Sequence, residues 1–323
     1  MINVINMVKV SILGSTGSVG KNVAFSLARE NTIDDIVMFS RPSSIEKVKG
    51  EVLDMYDALA AEEIDCRLCP SCDFDDIKGS DIVIITAGIP RKKGMDRIDL
   101  AVPNAKMVYE YAEKTAIYAP DSVMLVVTNP VDVMTHVALK ASGFNKSRVI
   151  GLGNHLDSLR LKAIISSRLN VNSGEVHTRV VGEHGNHMVP LLSSTTIGGI
   201  PLEYFSNIQD LTVPSLLAIL KNAGGNIIGK KGATEYGPAY AISNLTSTIA
   251  KDSHKILSVS IYLEGEVEDV HDVCLGVPVV LTKNGVGMIV PIQMNDYERE
   301  EFHKAAEAVK ETTTNVFNIL EME

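Results

Sequence analysis

An alternating apolar run, Val8-Lys9-Val10-Ser11-Ile12-Leu13, passes directly into Gly14-Ser15-Thr16-Gly17-Ser18-Val19-Gly20 and then into a helical pattern over 19–29. That order constrains the fold more than any other feature of the chain. A strand that turns on glycines straight into a helix is the opening of a strand–helix–strand crossover, whose next strand lies parallel to the first. Glycines at 14, 17 and 20 permit a tight turn. They also let the main chain approach a pyrophosphate, which then rests on the helix N-terminus. The spacing is one residue longer than the G-x-G-x-x-G form, a variation the geometry tolerates, so residues 14–20 are the candidate diphosphate cradle.

The rhythm continues as that opening demands. Strand patterns over 35–40, 64–69, 81–86, 123–128 and 148–150 alternate with helical patterns over 45–61, 98–119 and 131–142. Strands that are apolar on both faces, separated by helices, predict an α/β doubly wound parallel sheet covered on both sides. After residue 150 the pattern changes. A helix over 156–169 precedes a strand over 175–181, and a long helical stretch over 211–252 is broken around Gly224-Gly225. Strands over 256–263, 272–282 and 287–291, with Asn284-Gly285 as a hairpin signal, precede a final helix over 297–320. The expected organisation is a nucleotide-binding domain over 1–150 packed closely on an α+β substrate domain over 151–323.

Composition narrows the partners. Thirty basic residues against forty acidic ones leave a net charge of −10, so a dominant nucleic-acid surface is not expected. No apolar run reaches the ~18 residues of a membrane helix. Met1–Met7 carries neither a basic flank nor a small-residue cleavage site, so a cytoplasmic protein with no membrane partner is expected. Three of the four cysteines, Cys66, Cys69 and Cys72, share the spacing that begins some iron–sulfur runs. The next ligand of such a run is missing, and strand alternation over 64–69 sends Cys66 and Cys69 to opposite faces, so no metal is expected. So few cysteines in so long a chain also argue against a disulfide framework.

The second strand carries information about the nucleotide. A carboxylate about 20 residues beyond the glycines would bind ribose hydroxyls. Counting from Gly20 reaches Ser40 instead, within Ser40-Arg41-Pro42-Ser43-Ser44. A carboxylate would repel a 2′-phosphate, whereas the hydroxyls of Ser40, Ser43 and Ser44 and the Arg41 guanidinium can hold one. NADP(H) is therefore favoured, with NAD(H) kept open. The same serines also suit a plain helix cap, and both readings can hold together.

Polar groups recur where strands leave the sheet. One strand ends Thr86-Ala87-Gly88 and runs into Ile89-Pro90-Arg91-Lys92-Lys93-Gly94-Met95-Asp96-Arg97, and another ends Thr128-Asn129-Pro130. Later come Gly153-Asn154-His155-Leu156-Asp157-Ser158-Leu159-Arg160 and Gly182-Glu183-His184-Gly185-Asn186. In this order, over nearly the whole chain, these segments resemble the lactate/malate dehydrogenase family, closest to its malate and archaeal-type branches. The resemblance implies a Rossmann domain, hydride exchange between NAD(P)H and a small 2-hydroxy acid, and a homodimer or homotetramer. His184 becomes the acid–base group with Asp157 as its partner, a sensible pairing because a carboxylate favours imidazolium and fixes the tautomer. Arg160 takes the substrate's first carboxylate, Arg97 closes over the substrate and polarises its carbonyl, and Asn129 orients the substrate oxygen or the ribose. Thr86, Ala87, Gly88, Asn104, Thr128 and Asn129 complete the cofactor contacts.

Within the family, arginine at the position of Arg91 goes with dicarboxylates and glutamine with pyruvate. A buried second guanidinium without a second carboxylate would be unpaired, so Arg91 implies malate and oxaloacetate. Two departures from the family pattern stand out: Asn186 replaces a common aspartate, and the acidic residue ending the second strand is absent. The rivals are a lactate or broad-specificity L-2-hydroxyacid dehydrogenase, a metal-assisted NAD-dependent glycosidase of related fold, and a dinucleotide-sensing protein without catalysis.

Overall fold

The computed structural model describes residues 8–89, 97–205 and 211–321. The strands of its first half are β1 (Val8–Leu13), β2 (Ile33–Phe39), β3 (Arg67–Ser71), β4 (Ile82–Ile85), β5 (Val123–Val126) and β6 (Val149–Gly151). Between them lie α1 (Ser18–Ala28), α2 (Ile45–Ala61), α3 (Arg97–Tyr118) and α4 (Val131–Ser142). These six strands are parallel in the order β3-β2-β1-β4-β5-β6. Every residue of β4 and of β5 is buried, which is why neither strand alternates in sequence. Strand order reverses between β1 and β4, so their C-terminal ends open the crevice in which sheets of this kind bind ligands.

The second half contains α5 (His155–Leu169), β7 (Val176–His177), β8 (Val180–Gly182), β9 (Met188–Pro190), β10 (Thr196–Ile197) and β11 (Ile200–Pro201). It continues with α6 (Val213–Lys231), α7 (Tyr236–Ala250), β12 (Ile256–Glu264), β13 (His271–Thr282), β14 (Gly285–Ile289) and α8 (Asp296–Leu320). The sheet does not stop at the change of rhythm. Beyond β6 it continues antiparallel through β12, β13, β8 and β9, with β14 on β13, giving eleven strands among the described residues. The crossing point is the pair Gly151–Ser260, where a side chain on Gly151 would collide with the Thr135 hydroxyl and the Ser260 Cβ. One apolar core accordingly runs from Val10 and Ile84 to Val277 and Phe302. A smaller core around Leu161, Val180 and Leu216 lies beneath α5 and α6.

Three expectations are corrected. The strand expected over 175–181 is two strands in different sheets, because Thr178 and Arg179 leave the ladder between them. Thr178 pairs with the Thr195 hydroxyl at 2.8 Å and Arg179 donates to the Ile256 carbonyl at 2.9 Å. The helical break is not at Gly224-Gly225, which lie inside α6, but at Gly232, whose φ of 88° ends that helix. The third strand begins at Arg67 rather than 64, after a turn through Glu63 at φ 56°.

Candidate active site

A glycine loop and a buried set of charged side chains both follow the ends of strands in the sheet. The glycine loop comes first. Gly14 has φ 107°, and a Cβ there would lie 2.5 Å from the Ala87 nitrogen. A Cβ on Gly20 would lie 2.6 Å from the Gly14 oxygen, so both positions exclude larger residues. Gly17 differs: it is exposed, stands at the α1 N-cap, and a Cβ there would meet nothing nearer than the Gly14 oxygen at 3.6 Å. No side chain caps α1 and its first turn carries no acid. Its N-terminus therefore offers main-chain N–H groups and the positive end of the dipole that no described side chain takes up, a cradle that fits a diphosphate. Ser15 serves the loop itself, its hydroxyl donating to the Phe39 carbonyl at 3.0 Å, while Thr16, Ser18 and Val19 are half-buried around the opening.

The neighbouring strand ends are bound to this loop. The Thr86 hydroxyl lies 3.2 Å from the carbonyls of both Leu13 and Gly14, and Thr128 donates to the Ala87 carbonyl at 2.7 Å. Gly88 is exposed, with Thr128 so close that a Cβ would come within 2.7 Å of its methyl group. Asn104 is buried and its amide is taken up by main chain. It accepts from the Ile89 N–H at 2.7 Å and donates to the Asn129 carbonyl at 2.8 Å, joining two strand-end loops. Asn129 is exposed at the end of β5, ahead of a cis peptide bond to Pro130.

At the end of β2, Ser40 is only 3% exposed and its hydroxyl donates to the Arg41 carbonyl at 3.2 Å. Arg41 and Ser43 are exposed. Ser44 stands at the α2 N-cap but makes no side-chain cap bond, so the helix does not consume these hydroxyls. One residue the sequence reading missed joins them. Lys47, in the first turn of α2, donates to the Thr16 carbonyl at 3.2 Å and so bridges this segment to the glycine loop.

The second set is a buried cluster of charge. Gly153, at φ 47°, turns the chain from β6 into α5, whose first turn holds Asp157 with no exposed surface. The carboxylate lies between an imidazole and a guanidinium: Oδ2 is 2.6 Å from His184 Nδ1 and Oδ1 is 3.2 Å from an Arg160 guanidinium nitrogen. Asn154, also fully buried, donates to Asp157 Oδ2 at 3.3 Å and to the Glu183 carbonyl at 3.2 Å. The His184 loop follows β8, and its main-chain N–H donates to Asp132 Oδ2 at 2.8 Å. Gly224, inside α6, faces the Arg160 guanidinium, which a Cβ there would approach to 3.7 Å. Asp132, Asn154 and Gly224 were legible only as a first-turn acid, a cap and a helix breaker.

Electrostatics separate the histidines. Burial opposes charge on His184, but the Asp157 carboxylate and its hydrogen bond, with Asp132 behind them, outweigh it and raise the imidazole above its ordinary value. Burial would push Asp157 up, yet His184 and Arg160 hold it below the usual carboxylate range. With Nδ1 committed to Asp157, Nε2 is the atom left to exchange a proton, and the imidazole keeps 19% of its surface exposed. Burial instead drives His136 and His155 down to about 4, so they are neutral. The structure thus brings Asp157, Arg160 and His184 together as the sequence predicts. Arg97 is the first residue of α3, and Arg91 lies outside the described residues.

Known proteins match both halves of this arrangement. Residues 8–151 match the lactate/malate dehydrogenase NAD binding domain and 154–320 the lactate/malate dehydrogenase alpha/beta C-terminal domain. A protein named malate dehydrogenase from Methanosphaera stadtmanae is 65% identical, over 98% of this chain and 100% of its own length. One named L-2-hydroxycarboxylate dehydrogenase (NAD(P)(+)) from Methanocaldococcus jannaschii is 44% identical, over 96% and 100%. The crystal structure of Cryptosporidium parvum malate dehydrogenase superposes with a TM-score of 0.90 at 34% identity, covering 97% of this chain and 99% of that one. The chain belongs to the lactate/malate dehydrogenase family.

Proposed function

We propose that the chain is a malate dehydrogenase, interconverting L-malate and oxaloacetate with NADP(H) in preference to NAD(H), and that it works as a homo-oligomer. The observation that carries the chemistry is the 2.6 Å contact between His184 and a fully buried Asp157 that also holds Arg160. The cofactor would lie with its diphosphate on the α1 N-terminus against Gly17, and its nicotinamide toward Gly88 and Asn129. When bound, it supplies or accepts the hydride at the carbon under reduction or oxidation.

The chain's own residues manage the proton and the charge. In reduction, imidazolium His184 gives the Nε2 proton to the substrate carbonyl oxygen as that oxygen becomes a hydroxyl. In oxidation the neutral ring takes it back. Asp157 keeps the proton available by favouring the charged ring and fixing its orientation. Arg160 is suited to a planar, two-pronged grip on the first carboxylate, and Asp157 stops it from swinging away. Arg91 receives the second carboxylate and Arg97 the polarised carbonyl. Support for malate comes from Arg91 and from the name of the 65% identical relative.

The preference for NADP(H) is supported by the missing strand-end acid at Ser40 and by the exposed Arg41 and Ser43. Lys47 adds a cation at the same edge. A broader 2-hydroxyacid dehydrogenase is the second reading, favoured by the name of the 44% identical relative. Initial rates with oxaloacetate and with pyruvate, each with NADPH and NADH after chelator treatment, separate the readings. Fast oxaloacetate turnover with NADPH supports the proposal, whereas comparable rates on both acids support the broader enzyme. No turnover in any combination overturns both.

A further inference from the structure

Behind the His184–Asp157 pair stands a second carboxylate that the acid–base chemistry does not explain. Asp132, in the first turn of α4, is 3% exposed. One oxygen accepts the His184 main-chain N–H at 2.8 Å. The other is buried with no hydrogen-bond partner among the described residues, and the same is true of the Ser260 hydroxyl that lies beside it. An unsatisfied buried carboxylate oxygen is expensive, so a residue that only anchored one N–H would be better served by asparagine. We propose that Asp132 is a positioning residue that acts through His184 as the outer carboxylate of the acid–base unit. It fixes the His184 main chain and adds a negative charge that keeps the imidazole protonated. The inference rests on the reading of His184 as proton donor.

Asp132 is well sited for both tasks. It follows Asn129-Pro130 by two residues, so one helical turn links the end of β5 to the loop that carries His184. Ser260 sits where β12 joins β6, so the carboxylate also touches the seam between the two halves. Among the described residues, the charged groups that face this unit are few. From α5 come Asp157, which strengthens the hold on the proton, and Arg160, which weakens it. From β12 comes the neutral Ser260, and from β13 the buried Cys274, whose thiol is pushed far up and stays neutral. Burial pushes the Asp132 carboxyl above its ordinary value, while Ser260, the His184 main-chain N–H and the dipole of the α4 N-terminus favour its ionised form.

The test uses the pH dependence of kcat/KM for oxaloacetate with NADPH, which reports the proton donor before substrate binds. Asp132→Asn keeps an acceptor for the His184 N–H but removes the charge. Its profile should move to lower pH by about one unit, with reduction about tenfold slower on the alkaline side. NADPH binding, followed by fluorescence, should be unchanged. A folded Asp132→Asn enzyme whose profile coincides with wild type overturns the proposal, whatever its kcat. If that variant does not fold, Ser260→Ala decides. The hydroxyl dipole beside Asp132 favours the ionised carboxylate even without a formed hydrogen bond, so its loss should give a smaller shift in the same direction; such a shift supports the proposal and an unmoved profile overturns it. Failure of the underlying reading looks different: His184→Asn would then still turn over.

Discussion

The two ends of the site are built by opposite means. At the glycine loop the working surface is main chain, and its specificity comes from side chains that are missing. Gly14 and Gly20 have no room for a Cβ, and Gly17 stands exposed before an uncapped helix. At the other end the working surface is side chain, buried and cross-braced. Asp157 holds His184 and Arg160, Asn154 holds Asp157, and Asp132 holds the His184 main chain. A dinucleotide is recognised mostly through repeating phosphate and sugar groups, which N–H groups and a dipole can satisfy. Proton transfer needs one atom poised at the right proton affinity, and only a fixed arrangement of charges supplies that. The first end should therefore fail through sterics and the second through charge.

Asp157→Asn should break the second end most severely. It leaves Arg160 and His184 buried without their counter-charge, and kcat should fall by about 10²–10⁴ with little change in NADPH affinity. A loss confined to cofactor binding would contradict the separation of the two ends. Gly20→Ala should do the reverse. With a Cβ 2.6 Å from the Gly14 oxygen, the loop must deform. Titration should then show NADPH binding at least about tenfold weaker, an estimate from the general cost of unrelieved strain.

The histidines sharpen the contrast through stability. His184 has a carboxylate against its ring, whereas His136 and His155 are 5% and 4% exposed, depressed by burial to about 4, and among the described residues have no hydrogen-bonded carboxylate. Their folded-state values lie below the unfolded one. Their contribution is thus intact above about pH 6.5 and is lost as pH falls toward 4, by about 3 kcal/mol each. Urea unfolding between pH 7 and 4 should show a steep decline, which His136→Phe reduces. The smallest effect is expected at the ribose. Arg41→Ala should weaken NADPH about tenfold and leave NADH unchanged, the scale of one charge-assisted hydrogen bond. Equal losses for both would remove Arg41 from cofactor choice.

The same contrast explains what the sequence made legible. The glycine loop was readable because sterics act locally: a strand, three glycines and a helix must turn as they do. The pairing of His184 with Asp157, 27 residues apart, was readable only through the resemblance, since no periodicity connects them. Asp132 escaped notice because the first turn of a helix is an ordinary place for an acid, and its partner lies 52 residues on. Gly224-Gly225 misled for a related reason. Glycine weakens an isolated helix, but α6 buries Leu216 and Leu220 in the smaller core, and packing outweighs propensity. Gly232, in the left-handed region, was the real terminus. The split of the strand over 175–181 depended on contacts of Thr178 and Arg179 with distant main chain and side chain, which alternation cannot reveal.

On the proposed reading, binding the dinucleotide and moving the proton are separately built, with His184 reserved for the proton. The direct test is His184→Asn, with NADPH affinity and single-turnover oxaloacetate reduction measured on the same preparation. Affinity within about twofold of wild type, with the single-turnover rate down by about 10²-fold or more, is the predicted result. An unchanged rate, or a rate lost only in step with affinity, would contradict it.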